Sequence, residues 1–410
     1  MTDVCLILEG TYPYIIGGVS TWVHALISGL PEFDFSLVHL AVRGGRARVS
    51  KFDLPLNLRE MVTIEIAGYQ QPYQVACWRP GPVNLPQARV YHALSTGFAG
   101  LLARQIKEQS GRPFILTEHA IYWREISEGA MEVECGFQVI RQMGHMEMAA
   151  LRRHWTATFR QLARLAYTQA NAIVTVCEAN RRHQLAEGAE PDKCHIIPNG
   201  VLVDEFAATA TCTPCANGQP RIGLVGRVVP IKDVETFIRA AHLLTGRLPK
   251  AKFVVIGPTD QDAAYYRQCQ RLADELGLDG RLTFVGELPP QECYAGLDAM
   301  VLTSRSEGQP LAVLEAMSAG RPVVVTDVGA CRELVEGRGQ ADRALGPAGF
   351  VTPPRDPQAT AEAMLALCRD PRMAAQMGRA GQRRVRTFYR QERCLDGYRR
   401  LYERYLVVQD

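Results

Sequence analysis

The chain has 410 residues, 47% hydrophobic and 22% charged, with a formal net charge of +3. That length suits two or three domains, and the composition is that of a globular chain rather than a disordered one. The charge is too mild to point to nucleic acid, and no apolar run approaches the ~18–20 residues that span a bilayer.

Short apolar runs recur along the chain, with helical patterns between them. The first, "CLILEG" (5–10), follows an acidic start and predicts a strand rather than a signal peptide. "SLVHLAV" (36–42), "PFILTEH" (113–119) and "AIVTVCE" (172–178) continue the first series. The second series is "RIGLVG" (221–226), "KFVVIG" (252–257), "LTFVG" (282–286), "AMVLTS" (299–304) and "PVVVTD" (322–327). Runs this uniformly apolar predict strands covered on both faces, as in parallel sheets built from βαβ units. Between the series, residues 204–219 are rich in Ala, Thr, Gly and Pro and read as a linker.

The expected fold is therefore α/β, with two doubly wound Rossmann-like domains, 1–203 and 220–385, facing across a cleft. Ligands of such folds bind beyond the carboxyl ends of the strands. Residues 386–410 predict a terminal helix, with Tyr398, Leu401, Tyr402 and Tyr405 at helical spacing as its packed stripe and its arginines solvated. The 12 cysteines are scattered, some within apolar strands, which favours reduced thiols. Cys212 and Cys215 form a lone CxxC with no second pair and no nearby histidine, a weak metal or redox signal. The basic loop 42–51 reads equally as a solvated loop or as a contact for acceptor or headgroups.

No strand is followed by GxGxxG, and GxxxxGK[ST] is absent, so neither a dinucleotide oxidoreductase nor a P-loop NTPase is supported. Three other stretches suit phosphate. Gly17 and Gly18 end the loop after the first strand and precede a helical pattern, where backbone N–H groups can approach an anion. In "GRVVPIKD" (226–233), Arg227 and Lys232 leave the carboxyl end of a strand, placed to stabilise the charge on a departing diphosphate. The third is "SEGQPLAVLEAMSAG" (306–320). Pro310 predicts the first turn of a helix over about 310–319 and Gly320 its end. Its N-terminus, from Gly308 and Gln309 through Leu311, favours an anion. Glu307 precedes the helix and Glu315 lies inside it; carboxylates accept hydrogen bonds from vicinal hydroxyls, as on ribose or a hexose. Asp260 and Asp262 form "DQD", for which an N-cap role at a helix beginning near Gln261 is preferred to metal binding.

The "GRxxxxK" pattern followed by E-x7-E resembles the retaining glycosyltransferases of family 4, with the GT-B fold. Taken with "EGTYPYIIGGVSTW", "HALSTGFAG" (92–100), "LTEHAIYWRE" (116–125), "IIPNGV" (196–201) and "VIGPTDQD" (255–262), it looks most like the PelF-type transferases of Pel exopolysaccharide synthesis. The resemblance implies a UDP-sugar donor with Glu307 on the hexose, Glu315 on the ribose, and Arg227 and Lys232 on the diphosphate. It places His119 by the sugar ring, Gly17 and Gly18 near the diphosphate, and the backbone of Val285 and Gly286 along the uracil. It further implies front-side transfer of a hexose or N-acetylhexosamine to a saccharide acceptor, without a metal or other cofactor. The expected setting is cytoplasmic, at the inner face of the membrane in a polysaccharide synthase complex. Two other functions fit the same parts: a sugar-nucleotide epimerase, and a non-catalytic nucleotide-sugar-binding subunit.

Overall fold

In the computed structural model the described residues are 1–10, 12–15, 17–42, 49–66, 78–81, 83–128, 132–133, 137–138, 145–207 and 219–407. Most of the expected linker, Cys212 and Cys215, and most of the basic loop 42–51 lie outside them. The chain divides into two compact units, Met1–Pro198 with Cys394–Asp410, and Asn199–Arg393.

The N-terminal unit is built on β1 (Thr2–Glu9), β2 (Phe35–Val42), β3 (Leu58–Ile66), β4 (Ala88–Ala93), β5 (Phe114–Glu118), β8 (Ala172–Thr175) and β9 (Cys194–Ile196). β6 (Glu132–Val133) and β7 (Phe137–Gln138) form a separate antiparallel pair. The seven strands run parallel in the order β3-β2-β1-β4-β5-β8-β9. The apolar runs mark the central strands, which helices cover on both faces. β3 lacks such a run because it is an edge strand whose side chains alternate between solvent and core.

The terminal helix Gln391–Val407 packs as its aromatic stripe predicts. From Cys394 onward it belongs to the N-terminal unit, where Tyr398, Leu401 and Tyr402 share a core with Val4, Leu6, Trp22 and Phe35. Its hydroxyls reach a buried polar chain. Tyr402 OH lies 2.8 Å from His92 Nδ1, His92 Nε2 lies 2.8 Å from Thr117 Oγ1, and that hydroxyl lies 3.2 Å from Tyr398 OH. Burial, with His119 nearby, pushes the His92 imidazole down to about 3, so it stays neutral and can both donate and accept.

The second unit holds β10 (Arg221–Val225), β11 (Lys252–Ile256), β12 (Leu282–Gly286), β13 (Ala299–Leu302), β14 (Val323–Thr326) and β15 (Gly349–Thr352). All are parallel, in the order β12-β11-β10-β13-β14-β15. This is the doubly wound Rossmann order, and its direction reverses between β10 and β13. Ile222, Leu224, Phe253, Val255 and Val301 bury one face against the helices Val234–Leu244, Ala263–Glu275 and Pro357–Arg369. Two loops therefore emerge side by side at the switch point: 226–233 after β10 and 303–310 after β13.

Candidate active site

The two switch-point loops are bound to each other. Thr303 Oγ1 donates to the carbonyls of Lys232 and Asp233, at 3.1 and 2.9 Å. Arg305 donates its backbone N–H to Ile231 O at 2.8 Å and its guanidinium to Asp233 Oδ1 at 2.9 Å. Asp233 is buried with φ at 49°, in the left-handed region that non-glycine residues visit rarely. The short 3-10 turn Pro230–Lys232 is thus fixed at its end, and Lys232 points at Glu307. Lys232 Nζ lies 2.5 Å from Glu307 Oε1, which also accepts from Ser304 Oγ at 2.6 Å. Both side chains are largely enclosed, with 19% and 11% of their surface exposed. Arg227 is exposed, on the same loop, and donates to Gln261 Oε1 at 3.1 Å.

The helix begins at Leu311 and ends at Ser318, with Pro310 as its N-cap rather than in its first turn. Gly320, at φ 69°, closes it in the expected place, with Gly320 and Arg321 N–H groups returning to Met317 O and Ala316 O. Glu315 accepts from Tyr294 OH at 2.5 Å. Desolvation pushes its carboxyl above the ordinary value of 4.5, the tyrosine bond opposing that in part. Gln309 is buried and holds the start of the unit: its Oε1 accepts from Asn199 N at 2.6 Å, and its carbonyl accepts from Asn199 Nδ2 at 3.3 Å. The side chain of Val285 is 37% exposed. Gly286 follows it at the end of β12.

Two further glycines shape this rim. Gly257, at φ 144°, ends β11, and a Cβ there would fall 2.2 Å from Gly226 O. Its N–H donates to Gly286 O at 2.8 Å, while Gly226 N–H donates to Ile256 O at 2.9 Å. The ends of three adjacent strands thus form a low glycine ledge. Gly329, at φ 51°, sits over the other loop, where a Cβ would fall 2.1 Å from Glu307 O. Ala330 N–H then reaches Gly308 O at 2.7 Å and supports the turn that carries Glu307. The repeated apolar-apolar-Gly ending of "LVG", "VIG" and "FVG" is the signal that could have found the ledge. Asp262 is the N-cap of Ala263–Glu275, accepting from Tyr265 N at 3.0 Å, which bears out the capping reading of "DQD".

In the N-terminal unit, Gly17 is the extended N-cap of the helix Gly18–Gly29, and a Cβ on it would meet nothing within 4 Å. His119 follows β5 with its ring 4.4 Å from Trp22, edge to face, and Trp22 packs in turn on Tyr398 at 5.1 Å. Two buried carboxylates end strands of this sheet. Glu9 accepts from Ala99 N at 3.0 Å and from Ser95 Oγ, capping the helix Phe98–Ser110 from a distant strand. Glu118 accepts from Tyr167 OH, Gln184 Nε2 and Thr96 Oγ1, at 2.6, 2.9 and 3.1 Å. Burial raises both carboxyls.

Residues 219–370 match the family model of glycosyl transferases group 1. That match lies within the C-terminal unit. The N-terminal residues 2–81 and 75–192 match a domain family of unknown function, DUF3492. Among curated relatives, the D-inositol 3-phosphate glycosyltransferase of Nocardia farcinica is 33% identical over 164 residues, covering 37% of this chain and 36% of that protein. The one from Streptomyces avermitilis is 27% identical over 83% of this chain and 68% of its own length. At about 33% identity, then, the match spans little more than a third of the Nocardia relative, and it involves a minority of both chains.

Among solved structures, sucrose-phosphate synthase from Thermosynechococcus elongatus superposes with a TM-score of 0.74 over 99% of this chain and 100% of its own, at 18% identity. HepE of Anabaena, solved in complex with UDP-glucose, gives 0.70 over 98% and 100%, at 16% identity. The fold is GT-B, α/β, with a Rossmann-like sheet in each unit. Lys232, Glu307 and Arg227 all lie within the residues that match the group 1 model. Among the described residues, no helix is long and apolar enough to cross a membrane.

Glu315 makes a pH-dependent prediction. A carboxyl raised in the folded state is protonated there after the unfolded chain has lost its proton, so stability falls as pH rises from the ordinary value through the raised one. Glu315→Gln removes that fall and keeps an acceptor for Tyr294. Its melting temperature relative to wild type should be higher at about pH 7.5 than at about pH 4. An equal difference at both pH values, in thermal melts followed by circular dichroism, would contradict the raised carboxyl.

Proposed function

We propose that the chain is a UDP-sugar-dependent, retaining glycosyltransferase, moving a hexose or N-acetylhexosamine to a saccharide acceptor of exopolysaccharide type. The carrying observation is the Lys232–Glu307 pair at the switch point, with Arg227 on the same loop. A doubly wound sheet presents its ligand site there. An ammonium held against a carboxylate, beside a helix N-terminus, is arranged for a ligand that is anionic at one end and hydroxylated at the other. Support for glycosyl transfer comes from the group 1 match, and support for UDP from UDP-glucose in the HepE complex of the same fold.

In this reading the donor diphosphate takes Lys232 and Arg227, and Glu307, released from Lys232, accepts from the sugar hydroxyls. Glu315 serves the ribose, with Tyr294 holding its other side. The ledge of Gly226, Gly257 and Gly286 leaves backbone open to the base beside Val285. The bond from the sugar's C1 to the β-phosphate oxygen breaks as the acceptor oxygen bonds C1 on the same face. The acceptor's proton passes to the departing phosphate oxygen. The two cations stabilise the charge that grows on that oxygen, so the enzyme's work is placement and electrostatics. His119, Gly17 and Gly18 keep the roles that the family resemblance implies. The acceptor is most like that of the PelF-type enzymes, with a synthase complex at the membrane as the partner.

Arg227→Ala and Lys232→Ala should each lower kcat with UDP-glucose or its N-acetylhexosamine counterparts by about 10²-fold or more. Lys232→Ala leaves Glu307 poorly solvated and can destabilise the fold, so its melting curve is read alongside; exposed Arg227 is free of that cost. Wild-type turnover in both variants would overturn the assignment. Transfer should also persist in excess EDTA, since two side-chain cations supply the charge and Asp262 is committed to its cap. Loss in EDTA with recovery on adding Mn²⁺ or Mg²⁺ would show a metal-dependent route.

A further inference from the structure

The enclosed carboxylates of this chain are satisfied in two different ways. Glu9, Glu118 and Glu187 are buried, and each has a donor on both oxygens. The donors are Ala99 N and Ser95 Oγ, Thr96 Oγ1 and Tyr167 OH, and Arg160 Nε and Arg164 Nε. Buried Asp233 accepts from Arg305 and Thr236 on separate oxygens, and buried Asp342 from Arg384 and the Arg338 N–H. A desolvated acceptor is costly when unpaired, so a carboxylate that serves only the fold is bonded at both ends. Glu307 and Glu315 depart from this pattern. Lys232 and Ser304 both donate to Glu307 Oε1, and Tyr294 donates to Glu315 Oε2. The second oxygen of each has no protein donor among the described residues.

The donor to Glu315 is built into the fold. Tyr294 is fully buried, with its OH 2.5 Å from the carboxylate. It closes the short helix Pro290–Cys293, where the Cys293 thiol lies 3.7 and 3.5 Å from the carbonyls of Leu288 and Pro289. The Phe206 ring packs edge-on against it at 5.9 Å. A phenol O–H bonded to one oxygen fixes the carboxylate plane and sets the direction of the other oxygen's lone pairs. Freedom removed beforehand is not lost again on binding. The same bond opposes the desolvation that raises the Glu315 carboxyl, and so favours the ionised form. An ionised acceptor holds a hydroxyl more strongly than a neutral one.

We propose that Tyr294 is a positioning residue: without touching the ligand, it presents one oxygen of Glu315 to the ribose diol, so that the site selects a ribonucleotide over its 2′-deoxy counterpart. That the diol belongs to a nucleotide rests on the glycosyl-transfer reading; that Tyr294 presents a single oxygen of Glu315 does not.

The test is calorimetric titration of the full chain with UDP and with 2′-deoxy-UDP. The wild-type chain should prefer UDP by about tenfold or more, the loss expected when a hydroxyl bonded to a carboxylate is removed. Tyr294→Phe keeps the ring and removes only the hydroxyl; it should weaken UDP and bring the preference to about threefold or less. A general loosening of the fold would weaken both nucleotides alike and leave their ratio unchanged. Melting curves show that the variant is folded. Phe206→Leu, which loosens the same ring, is the second variant and should lower the ratio in the same direction. Wild-type preference in the folded variants, with the preference lost in Glu315→Gln, would overturn the role of Tyr294 while keeping Glu315 on the ribose. Equal binding of the two nucleotides by the wild-type chain, binding of neither, or a preference that survives Glu315→Gln would overturn the ribose reading of Glu315 and this inference with it.

Discussion

The geometry of the second unit depends on one ion pair and the scaffold that aims it. Lys232 would be a mobile surface lysine if its loop were free. It is instead held by Thr303 and Arg305 from the neighbouring strand's loop, with Asp233 accepting the strain of a left-handed backbone. The result is an ammonium placed against Glu307 at the one point where the sheet order reverses. A close ion pair satisfies both charges, and in the proposed reading a ligand that offers phosphate to one partner and hydroxyls to the other opens it. Each charge is then exchanged from one partner to another rather than left buried and alone, which limits the cost of binding.

The strands beneath this site were legible where burial is two-sided. "RIGLV", "KFVVI" and "AMVL" could be read as parallel strands because helices cover both faces and leave no polar position beyond the first residue. β3 and β4 were harder, since one is a half-exposed edge and the other carries His92, which joins a buried polar chain, and Tyr91, whose hydroxyl donates to Pro86 O. The helix after Pro310 and its closure at Gly320 followed from local chemistry. The cap at Asp262 did too, because capping is decided within four residues.

What the sequence hid is long-range. Asp233 and Arg305 are far apart along the chain, and no local pattern pairs them, yet they set the direction of Lys232. Glu9 reads as the end of a strand and acts as the cap of a helix that begins at Phe98. Gln309, in the stretch 306–320, spends its side-chain oxygen on Asn199, a contact that only the fold brings about. Arg160 and Arg164 are ordered by the buried Glu187, which comes from beyond the next strand. Residue identities at strand ends thus announce chemistry, while their orientation is set by partners that no local pattern names.

A crystal structure with UDP-glucose bound tests the central claim most directly. The account predicts that Lys232 Nζ leaves Glu307 for a diphosphate oxygen, within about 3 Å, while Glu307 turns to a hydroxyl of the glucose. A complex in which the Lys232–Glu307 pair stays closed, with the diphosphate held elsewhere, would contradict it.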